Sequence, residues 1–329
     1  MPQTLRLLSY CLPALALAVI VLGAYVRLTD AGLGCPDWPG CYGRLTVPSE
    51  ATDVHLQHPD WHSRPLETGK AWREMFHRYL ASALGLGIVI LAAAATQANL
   101  RRAVSSSPVV FLLAPLVIFQ GLLGMWTVTL LLKPLVVSAH LLGGLATLSL
   151  LWWNLLAVRG QRVSAVPASG LFWSARVAVL VLILQIFLGG WTSANYAALA
   201  CTDFPTCQGQ WWPHSNFREA YVLWRGLGIN YEFGVLDTPA RTAIHLGHRL
   251  GALLATLTVG LTALFAWRNG EPRLRRLASC ILGALVLQVC LGIANVLAGL
   301  PLPVAVAHNG VAAVLLLTLI TLVHSTRRL

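Results

Sequence analysis

The chain has 329 residues, of which 57% are hydrophobic and only 11% charged, with a formal net charge of +11 and a mean hydropathy of +0.69. Soluble domains carry about a quarter charged residues, so a soluble globular fold is excluded and a polytopic membrane protein is indicated. The 23 basic residues, all arginine except Lys70 and Lys133, are scattered through short loops with no nucleic-acid motif, so the charge reads as membrane topology and not as a nucleic-acid surface.

In chain order, eight apolar runs are long enough to span: 8–28, 76–97, 107–130, 135–157, 170–193, 241–267, 274–298 and 303–325. The expected fold class is an all-α polytopic membrane protein of eight transmembrane helices in two tandem four-helix bundles. The first run follows Arg6 and resembles a signal peptide. It continues through "GAYVRLT" without a small-x-small site before a polar start, so a retained span is expected. After it comes "GLGCPDWPGC" (32–41), and after the fifth run comes "ALACTDFPTC" (198–207), with the same six-position cysteine spacing.

The loops orient the spans. Arg6, Arg101, Arg102, Arg159, Arg162, Arg268, Arg273, Arg275, Arg276, Arg327 and Arg328 gather on one side, with Glu271 almost the only acid there. The long loops 30–75 and 194–240, of mixed charge, lie on the other side. The positive-inside rule then puts both termini in the cytoplasm. Cys35/Cys41 and Cys201/Cys207 fall outside, where disulfides persist. Cys11, Cys280 and Cys290 lie within spans and read as small buried apolar residues.

The chain is an internal duplication with halves 1–160 and 161–329. Residue 35 lies on 201. "FQGLLGMWTV" at 119–128 meets "LQVCLGIANV" at 287–296, and "KPLVVSAHLLGG" at 133–144 meets "PLPVAVAHNGVA" at 301–312. Four spans per half keep both halves in one orientation, a parallel repeat that some transporters also use.

Four of the ten histidines occupy matched positions: His77 and His140, then His248 and His308. Each lies near the outer entry of its span, so all four share one depth. A lone intramembrane histidine is ordinarily a hydrogen-bonded helix contact. Matched pairs at one depth point instead to two sites of two ligands each. Two histidines make a poor zinc set, whereas heme iron takes two axial imidazoles between the helices of a bundle. Ala81, Gly143, Gly144, Gly251 and Gly310 would make room, and Arg78 and Arg249 are placed to meet heme propionates. His55, His58, His62, His214 and His324 read as solvated or interfacial, with the first three a weak metal-site candidate. His245 reads as a ligand or as a group supporting one. Glu74, three residues before His77, is replaced by His245 in the second half. It reads either as a proton-shuttling carboxylate or as an acid in the first turn of a helix.

These residues resemble a known family. "RLTDAGLGCPDWPGCYG", Glu74-x-x-His77-Arg78, His140, "HLGHR" and His308 are similar to heme A synthases over essentially the whole chain. The resemblance implies oxidation of the carbon-8 methyl of heme O to a formyl group, by successive hydroxylations and loss of water, to give heme A for terminal oxidases. It implies that His77 and His140 flank the substrate heme in the first half, and that His248 and His308 ligate a resident heme b in the second. It makes Glu74 the catalytic carboxylate, Cys35 and Cys41 a redox-active or structural pair, and Cys201 and Cys207 the second loop's pair. The implied location is a bacterial-type inner membrane. Implied partners are heme O, a heme O synthase and an electron acceptor, with the oligomeric state open. Two other classes stand beside this expectation: a bis-histidine diheme b cytochrome, which needs no Glu74, and a parallel-repeat transporter. A transporter would show Gly/Pro-broken spans at midplane, yet Pro134, Pro301 and Pro303 lie at span starts.

Overall fold

A computed structural model describes residues 3–49, 65–100, 108–160 and 169–327. Eight long helices carry the chain: α1 (Gln3–Leu28), α2 (Thr68–Leu100), α3 (Val109–Thr129), α4 (Pro134–Val158), α5 (Ser169–Ala194), α7 (Thr238–Asn269), α8 (Pro272–Leu297) and α9 (Leu302–Ser325), with a single turn, α6 (Phe217–Ala220), in the second long loop. All eight are long and apolar enough to cross a membrane, so this is an integral membrane protein of all-α class. Among the described residues extended pairing is limited to two isolated bridges, Cys41 with Arg44 and Cys207 with Gln210.

Seven of the eight spans match the apolar runs closely, whereas α2 begins eight residues before its run. At 33 residues and about 1.5 Å per residue, α2 is roughly 50 Å long against a hydrocarbon core of about 30 Å. Its first two turns, Thr68 to Met75, are too polar for a hydropathy window to count. They are helical because the first loop packs on them: Cys35, Cys41, Tyr42, Ala71 and Met75 form one buried cluster. A Cβ on Gly34 would fall 2.7 Å from the carbonyl carbon of Lys70, so only glycine lets the loop lie against this helix.

The helices close into two rings. In the first, α1 packs on α2, α2 on α3, α3 on α4 and α4 back on α1; in the second, α5 packs on α7, α7 on α8, α8 on α9 and α9 on α5. The rings share a seam built from α1 and α4 against α5 and α9. Lipid supplies no hydrophobic drive between helices, so close packing and a few polar contacts hold such a seam. Here Trp152 Nε1 donates across the seam to Thr321 Oγ1 at 2.9 Å, while within the first ring Asn154 on α4 donates to the buried Ser9 hydroxyl on α1 at 2.9 Å.

The duplication is visible in the turns. Leu131 and Leu132 between α3 and α4 take left-handed backbone, as do Gly299 and Leu300 between α8 and α9. The N–H of Leu132 donates to the Thr127 carbonyl at 2.8 Å and that of Leu300 to the Asn295 carbonyl at 2.7 Å. Such a bond satisfies a carbonyl left open at each helix end.

The second long loop reaches across to the first ring. The Tyr231 N–H donates to the Leu131 carbonyl at 3.0 Å, and the ring of Tyr231 packs with Leu33, Val128 and Leu132. Lys133, 2% exposed, lies 3.4 Å from the centroid of Trp224 and donates to the Gly226 carbonyl.

Two expectations about the spans are corrected. His324 is 3% exposed, with its ring edge-on to Trp153 at 4.9 Å, and so is not solvated. Cys11, Cys280 and Cys290 face outward. In a membrane protein the outer face is as apolar as the core, so an apolar neighbourhood in sequence does not mark burial.

Candidate functional site

Each long loop folds into the same small ring closed by a disulfide, Cys35–Cys41 and Cys201–Cys207. The backbone reverses through two left-handed residues, Tyr42 and Gly43 or Gln208 and Gly209, the geometry of a two-residue hairpin turn in which glycine costs least. An aspartate inside each ring gathers the free N–H groups. Asp37 accepts from Tyr42 at 2.6 Å and Gly43 at 2.9 Å. Asp203 accepts from the Thr206 hydroxyl at 2.6 Å, Gln208 at 2.6 Å and Gly209 at 3.0 Å. The Thr206 hydroxyl first, then the Gly209 and Gln208 amides, hold the Asp203 carboxyl down at about 2.

An arginine from the neighbouring helix clamps each ring. Arg78 Nη1 donates to the carbonyls of Asp37 at 2.8 Å, Pro39 at 3.3 Å and Gly40. Arg249 donates to Asp203 at 2.7 Å, Thr206 at 2.7 Å and Pro205 at 3.4 Å. Arg249 Nε is buried and unpaired. The loop backbone thus engages Nη1 of Arg78 and both Nη atoms of Arg249, the two arginines assigned from sequence to propionates.

Here the halves diverge. Glu74 is 5% exposed; its carboxylate accepts from the Cys35 N–H at 2.9 Å and from Arg78 Nη2 at 2.6 Å. In the second half the matching Cys201 N–H points at His245 Nδ1, 3.4 Å away. Glu74 is therefore not a solvated first-turn acid but a buried carboxylate paired across a loop. His245, 4% exposed, occupies the same niche.

His77 and His248, each one residue before a clamping arginine, and His140 and His308 on the last helix of each ring turn toward the preceding spans. His77 lies within electrostatic reach of His140, and His248 within reach of His308 and His245. Each imidazole rests on a glycine of the preceding span. A Cβ on Gly23, Gly124, Gly189 or Gly292 would lie 3.0, 3.6, 3.1 or 3.1 Å from Cε1 of His77, His140, His248 or His308 respectively. The Nδ1 atoms of His77, His140 and His308 are buried without a partner. Two inward imidazoles per ring, backed by positions without a side chain, fit the axial requirement of heme iron.

Sequence reasoning missed three glutamines. Gln185 Nε2 lies 3.1 Å from His248 Nδ1, and Gln288 Nε2 lies 3.2 Å from His308 Nε2. A Cβ on Gly143 would meet the Gln120 amide, and one on Gly251 the Gln185 amide. The room expected at those glycines is thus occupied by carboxamides. A repeated Gln-x-x-x-Gly spacing, at 120–124, 185–189 and 288–292, was the available signal. His214 is exposed, as expected, and His55, His58 and His62 lie outside the described residues. An apolar groove of about 610 Å³ between α1 and α9, lined by Leu17, Val21, Tyr25 and Val306 among others, contains none of the four histidines.

The model of the family described as cytochrome oxidase assembly protein (COX15-CtaA) matches residues 6–320. The chain is 47% identical over 309 residues to the heme A synthase of Shewanella oneidensis, covering 93% of this chain and 92% of that one. It is 30% identical over 344 residues to the heme A synthase of Paracoccus denitrificans, covering 96% and 86%. The heme A synthase of Granulibacter bethesdensis is 29% identical over 333 residues, covering 94% and 84%.

Proposed function

The chain belongs to the cytochrome oxidase assembly protein family, and we propose that it is a heme A synthase, converting heme O to heme A. The reaction is oxidation of the carbon-8 methyl to a formyl group by successive hydroxylations and loss of water. Counted with water as the oxygen source, R–CH3 + H2O gives R–CHO with release of four protons and four electrons.

In this reading residues 1–160 form the substrate half, where His77 and His140 flank heme O. Residues 161–329 form the half in which His248 and His308 hold a resident heme b, which supplies one-electron transfer when bound. Glu74 accepts protons leaving the substrate. The observation that carries this division is the replacement of Glu74 by His245 on the same cysteine N–H. Among the described residues only the first ring has a buried carboxylate beside its histidine pair, and an electron carrier has no use for one. Arg78 and Arg249 keep positive charge at the outer end of each ring, where propionates pair with it. The Cys201–Cys207 ring braces its loop, and the Cys35–Cys41 ring presents the N–H that holds Glu74. Both termini lie in the cytoplasm and both cysteine loops outside a bacterial inner membrane. Heme O arrives from a heme O synthase, and the electrons leave to a separate acceptor.

The test is extraction and chromatography of the hemes from detergent-purified protein. The expected result is heme b together with heme O, a hydroxylated form or heme A. Heme b alone, unchanged after addition of heme O, would overturn the synthase reading in favour of an electron carrier. Folded protein with no heme would overturn the histidine assignment.

A further inference from the structure

Each of the four inward histidines rests on a glycine of the span before it, and the residue one turn before that glycine differs in a single case. Gln120, Gln185 and Gln288 precede Gly124, Gly189 and Gly292 by four positions; the corresponding residue before Gly23 is Val19. Gln185 Nε2 is 3.1 Å from His248 Nδ1 and also donates to the His248 carbonyl at 3.1 Å. Gln288 Nε2 is 3.2 Å from His308 Nε2. The Gln120 amide lies on α4 at Gly143, within one turn of His140. Gln185 Oε1, Gln288 Oε1 and Gln120 Nε2 are buried with no hydrogen-bond partner, so the Gln120 amide is near His140 without bonding to it. A carboxamide carries both a donor and an acceptor, so it can hold either tautomer of an imidazole. Valine carries neither. Val19 is buried, and neither ring nitrogen of His77 lies against a carboxamide, whereas one ring nitrogen each of His248 and His308 does.

An outer hydrogen bond orients a ligating imidazole and raises its basicity, and its loss typically costs 10- to 100-fold in metal affinity. We infer that Gln185 and Gln288 are positioning residues that fix His248 and His308 as heme-iron ligands, and that Val19, which no carboxamide replaces, leaves His77 as the ligand built to let go. The inference rests on the heme sites proposed above. A resident cofactor needs two held ligands, whereas a heme that enters as substrate and leaves as product needs one that releases. The single Gln-to-Val difference falls in the ring that carries Glu74.

The test is transfer of ferric heme from the loaded, detergent-purified full chain to excess apomyoglobin, followed by absorbance. Wild type should release heme in a fast and a slow phase. Val19→Gln should slow the fast phase, and Gln185→Leu or Gln288→Leu should speed the slow one, each by roughly 10- to 100-fold. Low-spin electron paramagnetic resonance signals should move with the same variants. A single phase in wild type, or phases unchanged in all three variants, overturns the inference. His77→Ala and His248→Ala separate the two levels: if neither removes a phase, the heme sites themselves are misassigned. If each removes one while the glutamine and valine variants change nothing, only the role of the amides fails. Should Val19→Gln not fold, the two glutamine variants decide.

Discussion

The hydroxyl of Tyr196 donates to the carboxylate of Asp30 at 3.0 Å, and the two residues are each other's counterparts, 166 positions apart. Both take left-handed backbone after the end of their span. Arg27 repeats the relationship: its Nη2 donates at 2.6 Å to the carbonyl of Ser193, again 166 positions on, and its guanidinium lies 4.2 Å from the centroid of Tyr196. Residues that contact their own counterparts lie on the pseudo-twofold axis. This cluster is therefore a clasp on the seam between rings, at the end that carries the disulfide loops.

Tyr196→Phe should cost about 0.5–1.5 kcal/mol and Arg27→Ala about 1.5–3 kcal/mol, since the latter also loses a charged donor. Thermal unfolding in one detergent checks both. Burial foremost, and the Asp30 carboxylate less so, raise the Tyr196 hydroxyl above its usual 10.0. The folded state thus favours the protonated form, and the clasp should hold at all pH values below 10 and weaken as pH rises beyond it. Wild type should lose stability over that interval more steeply than Tyr196→Phe; parallel curves would remove the clasp from the pH response.

Glu74→Gln keeps an oxygen for the Cys35 N–H but removes the charge proposed to accept protons. Heme content should stay at the wild-type level while formyl product falls about 10²- to 10⁴-fold, the range of general acid–base catalysis. Chromatography of extracted hemes measures both at once. Undiminished heme A would reduce Glu74 to a partner of Arg78.

Arg78→Ala leaves Glu74 buried without its cation, a change that costs about 3–5 kcal/mol in comparable buried pairs. Arg249→Ala removes hydrogen bonds to carbonyls and a contact with the Phe204 ring at 5.8 Å, with no carboxylate among its hydrogen-bond partners, and should cost about 1.5–3 kcal/mol. The double variant Arg78→Ala, Glu74→Gln should recover part of the first loss. Equal shifts in unfolding temperature for the two single variants would show that the Glu74 pair adds nothing.

The second disulfide loop should resist acid. Asp203 sits at about 2 against an ordinary 3.8, held by the Thr206 hydroxyl and two amides. A depressed carboxyl contributes fully above its unfolded value and loses that contribution as pH falls through the folded one. Reduction of Cys201–Cys207 by a phosphine should therefore proceed at a steady rate relative to a model disulfide from pH 6 to about pH 4, then accelerate below about pH 3. Asp203→Ala should be fast throughout.

Much of this protein was legible in its residues alone. Hydropathy set the eight spans, because a segment that crosses lipid must satisfy its backbone internally and be apolar on every face. Duplication picked out His77, His140, His248 and His308, because matched polar residues in lipid are costly enough to need a reason. Periodicity reports which residues share a face of one helix; it does not report which face of another helix they meet. The glutamines over the imidazoles, the Arg27–Ser193 and Asp30–Tyr196 contacts on the axis, and the burial of Lys133 under Trp224 all join segments far apart in sequence. Glu74 is the clearest case. Its spacing from His77 was plain, but its burial was decided by a loop glycine, Gly34, that lets the Cys35 N–H approach a polar overhang of α2 and keep it helical.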